Sequence, residues 1–286
     1  MREKNLKVGE PAFISNLRVY PVFGENADIE VETLEESYKS DRAKILETGT
    51  VSELEIDYDG DWPMFIHEGE EIIGARQNRI FATSMLLPAG RHRVPVLCAE
   101  EGRWSGNEEF MPSGYIAYPR IRSIISQCIS IHKKPDQQLV WKEITRKQTS
   151  LRINSQTRAM TESFSSKENE LNMYKDYKAE EGQIGFLAYS NQGFLGAEIF
   201  ASPFLFAKFL EKLLISYGLD ALEHRFYETE GKFISPEKIL DSYQKTSMQR
   251  AESPGIGEEF RGLTRLLALR ALILKKVLVH LSILPR

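Results

Sequence analysis

The chain has 286 residues, 42% of them hydrophobic and 27% charged, with a formal net charge of −4, values typical of a globular protein with a sizeable core. Cys98 and Cys128 are its two cysteines and form no CxxC pattern, which argues against a disulfide scaffold and a zinc-thiolate site. The chain has no apolar leader and no uninterrupted apolar run of 18 residues, so we expect a cytoplasmic protein without a membrane partner.

Basic residues are concentrated in the middle of the chain. Residues 1–118 hold 12 Lys and Arg against 22 Asp and Glu, whereas residues 119–158 hold 9 against 2. We expect this basic segment to dock against the acidic N-terminal part, with contact to a phosphate as the alternative. Nucleic acid is a disfavoured partner, because the chain has no recognisable nucleic-acid-binding motif and is not basic overall.

The first part of the chain has the pattern of short strands joined by turns. Leu17 to Phe23 and Val51 to Tyr58 are predicted strands, and Thr33 with Glu36 forms a capping box that begins a helix ending near Lys44. We therefore predict a β-rich part over about 1–118. Its antiparallel or mixed sheet is curled into a sandwich or open barrel.

The stretch from Glu68 to Trp104 is the most informative. Turn residues at Pro88-Ala89-Gly90 separate two apolar, β-branched runs, which predicts a hairpin with Ala89 and Gly90 at its tip. In this register Arg79 is opposite Glu100 and Gln77 is opposite Gly102. Both faces of the hairpin are largely apolar, which is typical of central strands covered on two sides.

Polar side chains interrupt this pattern at the end of the hairpin away from the turn. The run Ala75-Arg76-Gln77-Asn78-Arg79 places polar groups on both faces of a buried strand, which is costly unless partners await them. We interpret the converging polar groups as a binding pocket. The alternative is an Arg79–Glu100 ion pair that only closes the end of a core. The predicted ligand-binding residues are Gln77, Asn78, Arg79, Arg103 and Trp104, and the predicted catalytic residues are Glu70 and Glu100.

Carboxylates are the chemical groups best suited to catalysis in this stretch. A pair of them could act as general acid and base or hold a hard cation; the candidates are Glu68, Glu70, Glu71, Glu100 and Glu101. Their spacing matches no metal signature, and His67 beside Glu70 is more typical of a structural residue than of a ligand. No metal ligand is therefore predicted, and the cofactor is left open.

The middle and the end of the chain are predicted to contain helices and two hairpins. A helix follows Pro135-Asp136, a loop covers Ser150 to Ser165, and Asn191-Gln192-Gly193 turns a hairpin. Ser202-Pro203 begins an apolar-faced helix that we expect Gly218 to end, and Ser235-Pro236 begins another. The Leu-rich tail is either a helix or a hairpin, since Lys275-Lys276 is poor turn chemistry.

The organisation that follows is one α+β domain over 1–286. Its core is a mixed or antiparallel β-sheet, a sandwich or open barrel, with helices packed on it. The β-rich part of about 1–118 is followed by a basic helical and loop part over about 119–182. A β-hairpin with further helices covers about 183–286.

Several stretches resemble one known family. EGEEIIGARQNRIFATSMLLPAG followed by VPVLCAEEGRW is similar to the signature of the ARG and rhodanese-phosphatase-superfamily-associated protein domain, a prokaryotic domain without an established activity. GQIGFLAYSNQGFLGAEIFASPFLFAKFLEKLLISYGLDALE resembles its second half, and GIGEEFR with VLVHLS resembles its end. The resemblance implies a hairpin at the tail and singles out Glu70, Gly74, Gln77, Asn78, Arg79, Cys98, Glu100, Gly102, Arg103, Trp104, Gly185, Phe200, Ser202, Pro203 and His280.

The family's association with ADP-ribosylglycohydrolases suggests the chemistry of the ligand. We hypothesise a domain that binds or processes an anionic sugar-nucleotide related to ADP-ribose or NAD. Arg79 and Arg103 would meet phosphate, Gln77 and Asn78 the sugar or base, and Glu100 or Glu70 would transfer protons. The alternative is a non-catalytic interaction or assembly module, and a homo-oligomer is compatible with both.

Overall fold

The computed structural model describes residues 5–27, 29–106, 109–227 and 231–286, and its architecture is α+β. About 29% of the chain is helical and 36% is in strands. The helices are α1 (Leu34–Lys39), α2 (Pro119–His132), α3 (Gln137–Ser150), α4 (Met160–Ser165), α5 (Glu168–Leu171), α6 (Pro203–His224) and α7 (Pro236–Lys245), with a 3-10 turn at Asn172–Asp176. The predicted fold class is confirmed.

Eighteen strands in the described ranges form three sheets. They are β1 (Lys7–Val8), β2 (Ala12–Ile14), β3 (Leu17–Phe23), β4 (Glu32–Thr33), β5 (Ala43–Glu47), β6 (Glu53–Tyr58), β7 (Met64–Ile66), β8 (Glu70–Gly74), β9 (Arg79–Phe81), β10 (Met85–Leu87), β11 (Gly90–Cys98), β12 (Glu109–Ile116), β13 (Gln183–Ser190), β14 (Gly193–Phe200), β15 (Gln249–Ala251), β16 (Glu258–Leu263), β17 (Leu267–Leu274) and β18 (Val277–Pro285).

A closed barrel forms the N-terminal half, with the strand order β11-β6-β5-β12-β8-β9. In β6 every second side chain points into the barrel, so that Leu54, Ile56 and Tyr58 are buried. They join Phe81 and Val94 in an apolar core inside the barrel. Closure removes the exposed edges that an open sheet would leave.

A nine-stranded antiparallel sheet joins the N-terminal strands β1 to β3 to the C-terminal strands β13 to β18. Its order is β1-β3-β13-β14-β18-β17-β16-β15, with β2 beside β3. One face packs on α7 through Ile239 and Leu240. The other face packs on α6, whose Phe206 and Phe209 belong to the core shared by the barrel and the helices. The small sheet β10-β7-β4 belongs to the same half of the chain as the barrel.

The predicted hairpin of the central stretch is wrong in its register. Arg79 is opposite Cys98 rather than Glu100, a shift of two residues. The strand is interrupted after Phe81, and β10 pairs with β7 instead of with β11. The first half of β11 is taken by β6, which prevents the long hairpin. Because the shift is two residues, each side chain still faces the predicted side.

Helix α6 does not end at Gly218 as predicted; it continues to His224. A Cβ built on Gly218 would lie 2.5 Å from the ring of Tyr174. Gly218 therefore allows the ring to approach the helix and is not a helix terminus. The start is as predicted, because Ser202 caps the helix by accepting a hydrogen bond from the Leu205 amide.

The tail is the hairpin that the family resemblance implied. Strands β17 and β18 pair from Leu267 opposite Pro285 to Leu274 opposite Val277. Lys275 and Lys276 form the two-residue turn with φ angles of 48° and 71°. Both values lie in the left-handed region that such turns require and that side chains disfavour. No helix in the described part of the chain is long and apolar enough to cross a membrane.

Candidate functional site

Six of the predicted site residues lie together at one end of the barrel, around Glu100. The Asn78 amide donates to a Glu100 carboxylate oxygen at 3.1 Å, and Arg103 donates to the same carboxylate at 2.8 to 3.1 Å. Burial acts to raise the pKa of Glu100, but the hydrogen bonds from Arg103 and Asn78 outweigh it and hold the pKa below its usual value. The cluster consists of Gln77, Asn78, Arg79, Glu100, Arg103 and Trp104.

Arg103 connects two segments of chain across this cluster. Besides Glu100, its guanidinium donates to the backbone oxygens of Gly74, Ala75 and Ser105 at 3.1, 2.6 and 2.7 Å. It also donates to the side-chain oxygen of Asn78 at 3.1 Å. A planar guanidinium with five donors is suited to such a multiple contact. Arg103 therefore fixes the loop after β8 against the segment after β11.

Arg79 is the fully buried member of the cluster. Its Nη1 donates to Gln77 Oε1 at 3.0 Å and contacts Cys98 Sγ at 2.7 Å, while Nη2 is 3.6 Å from Glu47. Within the described chain, Nε and Nη2 have no hydrogen-bond partner. The ring of Trp104, which is 54% exposed, lies 5.9 Å from this guanidinium. A buried guanidinium with unused donors beside an exposed indole is a place where a polar ligand or water gains hydrogen bonds.

The two neighbouring carboxylates Glu70 and Glu71 occupy opposite sides of β8. Glu70 lies 3.2 Å from Lys212 and accepts from the His67 amide at 2.9 Å, away from Glu100. Glu71 is the carboxyl beside Glu100 and accepts from the Thr161 hydroxyl at 2.7 Å. Burial raises the pKa of Glu71 to about 7. Of the two predicted catalytic residues, only Glu100 therefore belongs to the cluster.

A cavity of about 470 Å³ lies next to this cluster. Its floor is one face of α3, because residues 138, 141, 142 and 145 follow the spacing of a helical turn. Glu101 forms the wall nearest the cluster, and Gln77 Nε2 lies 3.4 Å from the Glu101 backbone oxygen. Gln77, Arg79 and Glu100 do not line this cavity. It is open to solvent, and its lining residues are Glu101, Gln138, Trp141, Lys142, Thr145, Arg146 and Arg158.

The cavity is basic and contains an unused donor. Lys142, Arg146 and Arg158 face one carboxylate, Glu101, which is 2.9 Å from Arg158. The indole nitrogen of Trp141 is buried and has no hydrogen-bond partner among the described residues. Arg146 is held by Glu143 and Glu223, and Arg158 by Glu101. Lys142 together with the exposed Arg158 therefore makes the lining favour an anionic ligand.

The basic segment docks mainly on α6 rather than on the acidic N-terminal part. Lys147 is fully buried, lies 2.5 Å from Asp220 and also pairs with Glu223. Arg146 pairs with Glu143 at 2.7 Å and with Glu223. Burial acts to raise the pKa of Glu223, but Arg146 and Lys147 together lower it to about 2. The predicted docking on the N-terminal part holds for Arg122 with Glu68 and Arg158 with Glu101.

A third group of polar residues, which sequence patterns did not bring together, is buried between the barrel and the large sheet. Glu198 on β14 is its centre, and one carboxylate oxygen forms an ion pair with Arg122 at 2.5 Å and accepts a hydrogen bond from Tyr217 at 2.7 Å. Burial acts to raise the pKa of Glu198, but the positive charge of Arg122 and the contacts with His280 and His67 hold it well below its usual value. The group comprises His67, Glu68, Arg122, Glu198, Arg270 and His280.

The sequence pointed to single members of this central group but not to the group: Glu68 is one of the candidate carboxylates, and His67 is considered above as a ligand. The family resemblance singled out His280, whereas Glu198 and Arg122 lie in apolar strand and helix patterns that give no sign of a partner. Glu198 and His280 come from paired strands, but their partners His67 and Arg122 are distant in the chain. A single sequence carries no information about such distant contacts.

Comparisons with known proteins give a family but no activity. A model of the ARG and Rhodanese-Phosphatase-superfamily-associated Protein domain matches residues 5–284. The match includes the barrel, the large sheet, the cluster around Glu100 and the central buried group. No curated protein and no solved structure matches the chain.

Proposed function

The chain belongs to the ARG and Rhodanese-Phosphatase-superfamily-associated Protein domain family, and we propose that this member binds an anionic sugar-nucleotide of the ADP-ribose or NAD type in the cavity on α3. The observation that supports the proposal is the cationic lining of that cavity, where the exposed side chains of Lys142 and Arg158 lie beside the carboxylate of Glu101 and the ring of Trp141. Its volume of about 470 Å³ is within the range of small-molecule sites.

Each part of such a ligand has a matching group in the cavity. Lys142 and Arg158 are exposed and reach the phosphates, whereas Arg146 is partly engaged by Glu143 and Glu223. Trp141 offers an aromatic surface to the base, and Glu101 accepts from ribose hydroxyls. Recognition of phosphate by Arg and Lys with stacking on Trp is the usual chemistry for this ligand class.

In this proposal the predicted site residues have two different roles. Gln77, Asn78 and Arg103 position the Glu101 segment from behind, since their hydrogen bonds end on that segment or on Glu100. Arg79 acts one step further back, by donating to Gln77. Trp104 reaches the surface with 54% exposure and can cover the ligand from outside. The cluster thus supports the cavity wall and does not itself form the floor.

We further propose that Glu71 and Glu100 are the proton-transferring pair if the ligand is processed. The pKa of Glu71 near 7 allows it to give and take a proton at neutral pH, while Arg103 keeps Glu100 ionised. Both carboxyls are buried, at 1% and 3% exposure, and neither lines the cavity, so a substrate reaches them only after a local movement that exposes them. Binding and processing are therefore separable in experiments.

A thermal-shift and calorimetric screen tests the proposal. Purified protein is titrated with ADP-ribose, NAD, AMP and ribose 5-phosphate at fixed ionic strength, because exposed charge pairs weaken with salt. We expect saturable binding of at least one of them, weakened about tenfold or more in Lys142→Ala with Arg158→Ala, since each removes a charge-assisted hydrogen bond. The matched control is Lys238→Ala, another exposed helical lysine, on α7.

Two results would count against the proposal. One is the absence of binding of every compound by folded wild-type protein. The other is binding that the Lys142 and Arg158 substitutions leave unchanged, which would place the ligand elsewhere. Products of processing are followed by chromatography, and Glu71→Gln should abolish turnover while retaining ligand affinity.

A non-catalytic interaction module is the second candidate, and one surface favours it. Phe13 and Phe233 are 67% and 50% exposed and flank Arg18, whose guanidinium is 5.0 and 5.7 Å from the two rings. Exposed aromatic groups around an arginine are typical of protein interfaces. A concentration-dependent mass in light scattering that Phe13→Ser abolishes would support self-association through this surface.

A further inference from the structure

Two histidines and one glutamate converge deep inside the molecule. His67 follows β7, Glu198 lies on β14 and His280 on β18, and one ligand atom from each lies within 4.8 Å of the others. Both Nε2 atoms face the same Glu198 oxygen, at 3.3 Å from His67 and 2.9 Å from His280. The three side chains are at most 2% exposed.

The hydrogen bond of His67 determines where its proton lies. Its Nδ1 is 2.5 Å from the backbone oxygen of Glu68, and a carbonyl oxygen can only accept. Nδ1 therefore carries the proton, and the Nε2 of a neutral His67 has a lone pair directed at a carboxylate oxygen. Two such acceptors repel each other unless a cation lies between them or the ring is protonated.

The second nitrogen of the other imidazole is held by a hydroxyl, which unlike a carbonyl oxygen can donate as well as accept. His280 Nδ1 lies 3.0 Å from the Ser84 hydroxyl, which in turn accepts from the Glu68 amide at 2.9 Å. Metal-binding histidines usually have their second nitrogen held by a backbone carbonyl or a polar side chain. His67 and His280 both meet this condition, and their ring centroids are 4.5 Å apart.

The two carboxylate oxygens of Glu198 have different contacts. One oxygen is saturated by Arg122 and Tyr217, at 2.5 and 2.7 Å, and the other faces only the two imidazoles among these groups. Tetrahedral metal ions with bonds of about 2.0 to 2.1 Å place their ligand atoms about 3.3 Å apart. The distance of 3.3 Å from His67 to Glu198 matches that separation, and the distance of 2.9 Å from His280 to Glu198 is shorter than it.

From this arrangement we propose that His67, Glu198 and His280 bind one divalent first-row transition metal ion, Zn²⁺ being the first candidate. Imidazole nitrogens with one carboxylate oxygen form a donor set that suits such ions. The site is independent of the α3 cavity and of the nucleotide proposal, because the two share no residue.

The surroundings assign this ion a structural role. His280 borders a cavity of about 10 Å³, also lined by Ser84 and Arg270. This space has room for about one water molecule as a further ligand and none for a substrate. The rings of Phe65, Phe200 and Phe209 pack around His67 and seal it from solvent. The ion would join the segment before β8 to two strands of the large sheet, and so stabilise the contact between barrel and sheet.

Metal analysis of the untagged protein, purified without chelator, tests this inference. We expect about one equivalent of metal per chain, retained in His224→Gln and reduced at least tenfold in His280→Gln. Metal-free protein given Co²⁺ should show the strong visible absorption of four- or five-coordinate cobalt, which His280→Gln loses and His224→Gln keeps. Removing the metal should lower the unfolding temperature of the wild type and of His224→Gln, but not that of His280→Gln.

A further variant keeps the test decisive if His280→Gln does not fold. Ser84→Ala retains all three proposed ligands but removes the hydroxyl beside His280, and should weaken Co²⁺ binding about 10-fold to 100-fold. Folded wild-type protein that is metal-free and takes up neither Zn²⁺ nor Co²⁺ on dialysis would overturn the inference. His67 and Glu198 would then be an ordinary buried ion pair.

Discussion

Arg79 shows how burial and polarity conflict at a single residue. A guanidinium has five donors, and in the described chain two nitrogen atoms of this one have no hydrogen-bond partner although it is fully enclosed. A buried donor left unpaired costs about 1 to 3 kcal/mol. The contacts with Gln77 and Cys98, together with the charge of Glu47, offset part of this cost. Such a residue is kept in place by its surroundings and is a strong determinant of the local structure.

Glu71 provides a pH-dependent prediction at the same scale. Its pKa rises from 4.5 to about 7 on folding. Between these values the folded chain holds a proton that the unfolded chain has lost, so Glu71 makes stability fall as pH rises from about 4.5 to about 7. Glu71→Gln removes this effect. We expect its free energy of unfolding, relative to wild type, to increase by about 2 kcal/mol between pH 5 and pH 8.

Urea unfolding of both proteins at the two pH values measures this difference. Glu211→Gln serves as a control because that side chain is 66% exposed on α6. An equal difference between Glu71→Gln and wild type at pH 5 and pH 8 would show that Glu71 ionises normally in the folded protein.

Sequence reasoning located the cluster around Glu100 because most of its members are close in the chain. To bring residues 77–79 next to 100–104, it was enough to predict which face of two neighbouring strands they occupy. The predicted register was wrong by two residues, and a shift of two leaves each side chain on the same face. The central group around Glu198 could not be predicted, because its members come from four distant segments. Burying charges there is favourable only when their partners are present, and the partners are set by the tertiary fold.

At the scale of elements, the tail hairpin forms although its two turn residues, Lys275 and Lys276, disfavour the backbone conformation of the turn. Lys275 and Lys276 both adopt positive φ, which costs roughly 1 kcal/mol or more for each residue with a Cβ. The paired strands compensate, since Leu269, Leu281 and Ile283 are buried in the sheet. Local propensity alone left a helix and a hairpin equally open, and burial of both strands decided between them.

Replacing the turn residues should therefore stabilise the protein. Asn-Gly is the preferred pair for a two-residue turn of this type, because both residues tolerate positive φ. We expect Lys275→Asn with Lys276→Gly to raise the free energy of unfolding by about 1 kcal/mol or more. Thermal unfolding measures the change. The pair Lys238→Asn with Glu237→Gly, placed in α7 where φ is helical, should instead destabilise the protein. An unchanged or lower stability of the Asn-Gly variant would contradict the strained turn.

Gly218 and the end of α6 illustrate the opposite case. A glycine in the last part of an apolar helix pattern predicts a helix terminus. Here the missing side chain of Gly218 instead leaves room for the Tyr174 ring to pack against the helix. The difference between these two uses depends on an aromatic ring some forty residues away. Helix beginnings were predictable in contrast, since Ser202 and Asp136 cap their helices through local hydrogen bonds.

At the scale of the whole molecule, α+β class and a curled sheet followed from strand and turn patterns alone. Closure of the barrel and the separate nine-stranded sheet did not, because β13 pairs with β3, about 160 residues earlier. This pairing brings the two ends of the chain into one sheet, so that the barrel sits between them in sequence. The basic segment then covers the barrel, and its helix α3 forms the floor of the proposed ligand cavity.

The central claim is that the anionic ligand contacts Trp141, and a single-tryptophan protein tests it most directly. The chain has three tryptophans, and Trp62→Phe with Trp104→Phe leaves Trp141 as the only one. Both replaced residues are about half exposed, at 46% and 54%, so the variant should fold. Titration with ADP-ribose should change the Trp141 emission saturably, and Lys142→Ala with Arg158→Ala should weaken that change about tenfold. An emission unaffected by a ligand that still binds by calorimetry would contradict the placement of the site on α3.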